Sequence, residues 1–385
     1  MHFGLVLHLW KQSKPNIMSK IYLHLVSIFA FILLSTFSLE AQITTPRGSQ
    51  ATTVSQTVGT STIEITYSRP SVNNREIWGK LVPYGLNNLG FGTSKAAPWR
   101  AGANENTTIS FSHDVKVEGK PIKAGTYGLH IEVKENNSAT LLLSNNSTSW
   151  GSFFYDPAED ALQADITTTT VPHTEMLTFS FPTVTATTAT ATLAWEKRAF
   201  PFTIEVPVTE IVLSDIRSGM RDQPGFNRLT YEQAAGFVLN NGGDLEEALG
   251  WINNAIAGQF FSQKNFNNLQ LKAGILNKMG NATEAMTTLA EAQELGTVLE
   301  VHQLGRQLIT MGMKEKAVEV FEYNAKKNKG TWPVHYGLAR GYSANGDFKK
   351  AIKHLEKAHV NAPNPASKQR VAANIEKLKN GEDIK

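Results

Sequence analysis

The chain has 385 residues, 41% of them hydrophobic and 18% charged, a composition that can build two globular cores and does not describe a disordered polymer. Its net charge of +3 is diffuse: residues 43–206 carry 12 basic and 14 acidic side chains, residues 207–385 carry 22 and 19. Neither half has the basic footprint that a phosphate backbone demands, so no nucleic-acid partner is expected. The absence of cysteine excludes disulfides, thiolate chemistry, Cys-ligated zinc and a lipid-modified N-terminal Cys.

Near the N-terminus, Lys20 precedes a nearly unbroken apolar run from Ile21 to Phe37, and the more polar Ser38-Leu39-Glu40-Ala41-Gln42 follows it. This is the order of a secretory signal peptide, here residues 1–41, with cleavage after Ala41 and Met18 as an alternative start. A retained anchor is the other reading, because the run is near the lower length limit for a span. No later stretch is long and apolar enough to span a membrane, so the mature protein is expected to be exported to the periplasm or cell envelope, or secreted.

From Ala51 to Val206 the hydrophobic period is two. Ile63, Ile65 and Tyr67 alternate with polar residues; so do Tyr127, Leu129, Ile131 and Val133, then Leu177, Phe179 and Phe181, then Phe200, Phe202, Ile204 and Val206. Turn chemistry at Glu118-Gly119-Lys120-Pro121, Lys123–Thr126 and Glu135–Ser138 separates the runs. Eight to ten short strands without helical periods predict an all-β antiparallel sandwich over residues 43–206. Arg75 to Asn106 interrupts it with a Gly- and Pro-rich loop carrying Trp78, Tyr84, Phe91 and Trp99, long enough to be the best place to look for a site.

Residues 207–228 read as a connector, and residues 229–380 have a helical period that repeats. Leu338, Ala339, Tyr342, Gly346 and Ala351, followed by Leu355 and Ala358, have counterparts 34 residues earlier for the first five at Leu304, Gly305, Leu308, Gly312 and Ala317. Two earlier units are marked by Ala273, Gly280, Ala285 and Ala292, and by Gly236, Gly243, Ala248 and Ala255. In all four the turn glycine stands five residues before the alanine of the second helix. Lys272 and Asn324 break the pattern, and Ala366 to Leu378 offers a capping helix. The expected fold is an all-α, tetratricopeptide-like solenoid, whose concave face usually takes a protein or peptide.

Chemistry is sparse. No HExxH, GxSxG or GxxxxGK[ST] occurs, and no cofactor is predicted. His173 and Glu175 project from one strand face, where they would share a metal or simply form a surface pair. Trp99, Arg100, Asn104 and Glu105 combine an indole, a guanidinium, an amide and a carboxylate; they would bind a polar ligand such as a sugar, or brace the loop internally. Asp156, Glu159 and Asp160 read as a solvated turn, and His130, on the polar parity of its strand, as a surface histidine. Trp150–Tyr155 reads as an aromatic strand segment.

Several of these segments carry a resemblance. Tyr67-Ser68-Arg69-Pro70, Arg75–Gly79, Leu81–Gly85, Trp99–Glu105, Ala124–Tyr127, Trp150-Gly151 and His173–Glu175 resemble an exported bacterial family catalogued only as domain of unknown function 2911, over roughly residues 45–206. The resemblance implies export and a β-rich domain and supplies no activity; Leu86 to Pro98 looks like an insertion relative to shorter members. The expectation is a non-enzymatic exported protein that binds a protein partner through its repeats, with the β-domain as a second binding module. The alternatives are a carbohydrate-binding or carbohydrate-acting envelope protein using Trp99–Glu105, and a metal-dependent hydrolase using His173 and Glu175.

Overall fold

The computed structural model describes residues 45–92 and 96–384, and the expected leader lies outside them. The β-region has ten strands among the described residues: β1 Gln50–Val58, β2 Ser61–Arg69, β3 Thr108–Phe111, β4 Val115–Val117, β5 Lys120–Ile122, β6 Gly125–Val133, β7 Ser138–Ser144, β8 Asp160–Thr167, β9 Thr169–Val184 and β10 Thr188–Glu205. They form a six-stranded sheet in the order β1-β2-β3-β6-β7-β8 and a four-stranded sheet in the order β5-β4-β10-β9. The inward faces meet in one core: Ile63, Ile65, Ile109, Leu129 and Leu141 from one sheet, Leu177, Phe179, Leu193, Phe200 and Phe202 from the other. This is the expected sandwich.

An irregularity in the pairing with β9 changes the buried parity of β10. Ala189, Ala191, Leu193 and Trp195 are buried at odd positions, whereas Phe200, Phe202 and Ile204 are buried at even ones. The phase changes where the pairing with β9 shifts, around Glu196, whose φ of 56° is the left-handed conformation of a bulge. Without it, one half of the strand would turn its apolar side chains to solvent.

The long segment 75–106 is a packed element and no free loop. Strand β3 pairs only with the first half of β6, from Gly125 to Gly128. The exposed edge beyond is taken by Gly85 N–H to Val133 O (2.8 Å), by reciprocal bonds between Trp99 and Ile131 (3.0 and 2.8 Å), and by Leu129 N–H to Thr107 O (2.7 Å). Buried main-chain groups need such partners, so the described residues of the segment are stitched down at Gly85, Trp99 and Thr107. Ala97 packs with Leu142 and Tyr155 in a small second core.

The helical region holds α1 Val208–Gly219, α2 Arg228–Asn241, α3 Leu245–Ile256, α4 Phe266–Lys278, α5 Ala282–Leu295, α6 Val298–Thr310, α7 Lys314–Lys327, α8 Trp332–Ala344, α9 Phe348–Val360 and α10 Pro365–Lys379. Helices α2/α3, α4/α5, α6/α7 and α8/α9 are the four expected hairpins, and α10 is the cap. The turn glycines Gly243, Gly280, Gly312 and Gly346 all have φ between 81° and 129°, which explains why the sequence places glycine there. Five residues on, Ala248, Ala285, Ala317 and Ala351 are buried where paired helices approach. The stretch read as a connector contains α1, whose Ile211 joins the sandwich core while Leu213 joins the core of the first hairpin.

Candidate functional sites

Trp99 and Arg100 leave β6 in opposite directions. The Trp99 indole stacks on Trp195 (centroids 5.9 Å, 16°) and meets Trp78 edge-on at 5.8 Å, with Phe200 completing the cluster. The indole expected to carry a sugar is therefore packed on at least one face by the protein. Arg198 lies over Trp78 and Phe200 and donates to the carbonyls of Lys134, Asn136 and Ser138, tying the β6–β7 turn to the same cluster.

Arg100 points toward the 150–155 turn. Its guanidinium lies 5.1 Å from the Phe153 ring centroid, and Nη1 donates to the carbonyl oxygen of Asn104. Gly151, with φ of 63°, sits directly against it; a β-carbon there would collide with the guanidinium. Burial lowers the Arg100 pKa, and no carboxylate contributes to the shift. Two segments that carry the family resemblance, Trp99–Glu105 and Trp150-Gly151, thus meet at one side chain.

Beside Arg100 lies a polar group that strand parity conceals. His130 is buried at 2% exposure, not on the surface, because the 150–155 turn folds over the outer face of β6. Its Nδ1 is 3.0 Å from Ser152 Oγ and its ring packs at 5.7 Å on Tyr155. Burial, with Arg100 second, pushes its pKa down to about 4. Tyr155 OH donates to Asp160 Oδ2 (2.6 Å), and burial raises both pKa values. Asn106 Oδ1 and Asp160 Oδ1 are buried with no hydrogen-bond partner among the described residues. The 150–155 segment itself is a turn and no strand: Trp150 and Phe154 are exposed, and Phe154 packs against the exposed Phe91.

His173 and Glu175 do share one face of β9, with Nε2 and Oε2 3.1 Å apart. Glu175 Oε1 accepts from the main-chain N–H of Asn73 (2.9 Å), which lowers its pKa more than the histidine does. The pair thus holds the 72–73 turn, and its contacts do not overlap those of Arg100. Among the described residues no three His, Cys, Asp or Glu side chains gather closely enough to hold a metal ion. Asp156 caps the short helical turn at Pro157–Glu159 by accepting from Ala158 N–H.

In the repeats, the first helices of neighbouring hairpins lie side by side, and Gln270 on α4 bonds to Gln307 on α6 at 2.6 Å. At that seam Met286, Leu289, Leu308, Met311 and Met313 line an apolar cavity of about 60 Å³. Asn324, where the repeat pattern expects alanine, is 1% exposed and donates to Val298 O (2.9 Å), linking α7 to the first turn of α6.

Sandwich and solenoid together define a two-part protein, an antiparallel β-domain followed by tetratricopeptide-like hairpins. Its β-domain, residues 49–204, is a domain of the family described as "Protein of unknown function (DUF2911)". No curated protein matches the chain. Among solved structures, the chain is similar to YrrB, described as a TPR protein with an unusual peptide-binding site (18% identity, 43% of this chain and 84% of that one, TM-score 0.28). It is also similar to the C-terminal part of a TPR repeat-containing protein from Cytophaga hutchinsonii (16%, 45% and 67%, TM-score 0.33). A third similar structure is a tetratricopeptide repeat protein from Parabacteroides merdae (17%, 46% and 74%, TM-score 0.29).

Proposed function

We propose that this is an exported, non-enzymatic interaction protein whose repeats hold a protein or peptide partner and whose β-domain is a second binding module. The observation that carries the reading is the side-by-side array of first helices, with a methionine-lined cavity opening at the α4–α6 seam. Methionine adapts to varied apolar side chains, as a partner-binding surface needs. The leader pattern supports export, and no helix among the described residues is long and apolar enough to cross a membrane. Crosslinking in intact cells followed by capture of the chain is expected to recover a defined partner that disappears when residues 230–380 are deleted. An unchanged set of captured proteins refutes the reading.

A second reading concerns the β-domain. Among the described residues, Arg100 is a half-buried cation with no carboxylate against it, and buried acceptors of Asn106 and Asp160 lack donors. That supports a small polar ligand, a sugar among them, at the Arg100–His130 cluster. The full chain is expected to bind members of a glycan panel, and Arg100→Ala to abolish binding without changing the melting temperature.

A further inference from the structure

The solenoid carries an unneutralised basic cleft. Arg306 near the end of α6, Lys314 at the start of α7 and Arg340 on α8 line a cavity of about 390 Å³ with Ile309 and, from the tail beyond α10, Asp383. None of the three cations forms an ion pair among the described residues, although elsewhere the solenoid pairs its charges readily, as in Arg217–Glu247 and Lys264–Glu291. Arg340 is held in place: its guanidinium lies 5.0 Å from the Tyr336 centroid, and Tyr336 stacks on Trp332 at 5.0 Å. Its Nε is buried with no hydrogen-bond partner among the described residues. The positive field reaches His302, whose pKa burial lowers to about 4, with Arg340 and Arg306 adding to the shift.

The protein's own tail displays the complementary chemistry. Asp383 accepts a hydrogen bond from Ser343 Oγ on α8, the same oxygen accepts from Ile384 N–H (3.1 Å), and the Ile384 side chain is buried with Tyr336, Ala339 and Leu378. Helix α8 therefore already binds an acidic residue followed by an aliphatic one.

We infer that the cleft takes an acidic peptide segment of the protein partner, carboxylates on Arg306 and Arg340 and an aliphatic side chain against Ile309, with the Asp383 carboxylate opposing entry. This rests on the partner-binding reading of the repeats and names the chemistry of the segment bound. Planar guanidiniums suit carboxylates because each offers two parallel donors. Asp383, the one acid among the described residues that line the cleft, repels such a segment, so the tail works against the ligand it resembles.

The test is fluorescence anisotropy on the full chain with a short labelled peptide of alternating Asp and Ile, beside its Asn–Ile counterpart. The acidic peptide is expected to bind saturably and the neutral one about tenfold more weakly or worse. Arg340→Gln weakens the acidic peptide about tenfold, Arg306→Gln does so to a similar extent, and Asp383→Asn tightens it about twofold to fivefold. Circular dichroism and melting temperature verify that each variant is folded; if Arg340→Gln is not, Arg306→Gln decides. Equal binding of the two peptides, indifference to both arginine variants, or equally tight binding of inorganic tripolyphosphate overturns the assignment. If the peptide fails while a cellular partner is still lost on deletion of residues 230–380, the cleft assignment falls and the partner-binding reading stands.

Discussion

Phe321 occupies a socket with glycine on three sides. Beta-carbons built on Gly305, Gly337 and Gly341 would lie 2.5, 2.6 and 2.8 Å from its ring atoms. In an open helix interior, Gly→Ala gains up to about 1 kcal/mol from backbone entropy. At Gly337 the overlap with Phe321 and His302 opposes that gain, and overpacking costs about 1–3 kcal/mol. Chemical denaturation of Gly337→Ala is expected to show net destabilisation of about 1–2 kcal/mol. Gly250, inside α3, has nothing within 4 Å of its β-carbon direction, so Gly250→Ala is expected to stabilise by about 0.5–1 kcal/mol. At this scale the sequence was least legible. Parity assigned His130 to solvent because period two reports which face a residue is on, not what folds over that face. Trp195 and Ser152, which meet Trp99 and His130, are remote in sequence from both.

At the scale of elements, local rules were sufficient for the hairpins, because turn glycine, paired alanine and apolar stripe all act within one repeat. They failed for β10, where a bulge invisible to composition reverses the buried parity, and for residues 75–106, whose pairing partner is a distant strand. The α8/α9 hairpin carries a titratable contact that its repeat pattern did not announce. His335 Nδ1 and His354 Nδ1 are 3.5 Å apart, and Tyr342 stacks on His354 while donating to Glu322. Burial, His335 and nearby lysines depress the His354 pKa to about 4, and burial lowers that of His335. Below about pH 6.5 the unfolded chain takes up protons that these folded imidazoles refuse. Their contribution is therefore full above that pH and is lost as pH falls toward 4. Melting temperatures are expected to hold from pH 7.5 to about 6.5 and to fall from there to pH 4.5, and His354→Gln to flatten the fall.

The whole molecule hangs on α1. Val208 packs against the β1–β2 turn at Gly59, Ile211 lies in the sandwich core and Leu213 in that of the first hairpin. Cutting Ile211 to alanine removes the side chain that anchors α1 in the sandwich core and is expected to cost about 2–4 kcal/mol. Calorimetry is expected to show the wild-type transitions merged and those of Ile211→Ala separated. The sequence alone makes residues 207–228 a connector, since twelve residues with two buried side chains resemble any amphipathic linker.

A helix embedded in two cores is no leash. If both regions bind as proposed, a molecule held by the repeats and one held by the β-domain would sit at a fixed spacing, without the spread of distances a flexible tether would allow. For two sites on one target, the second encounter then occurs at high effective concentration if the spacing matches and scarcely at all if it does not. The protein would act as a ruler as much as a receptor.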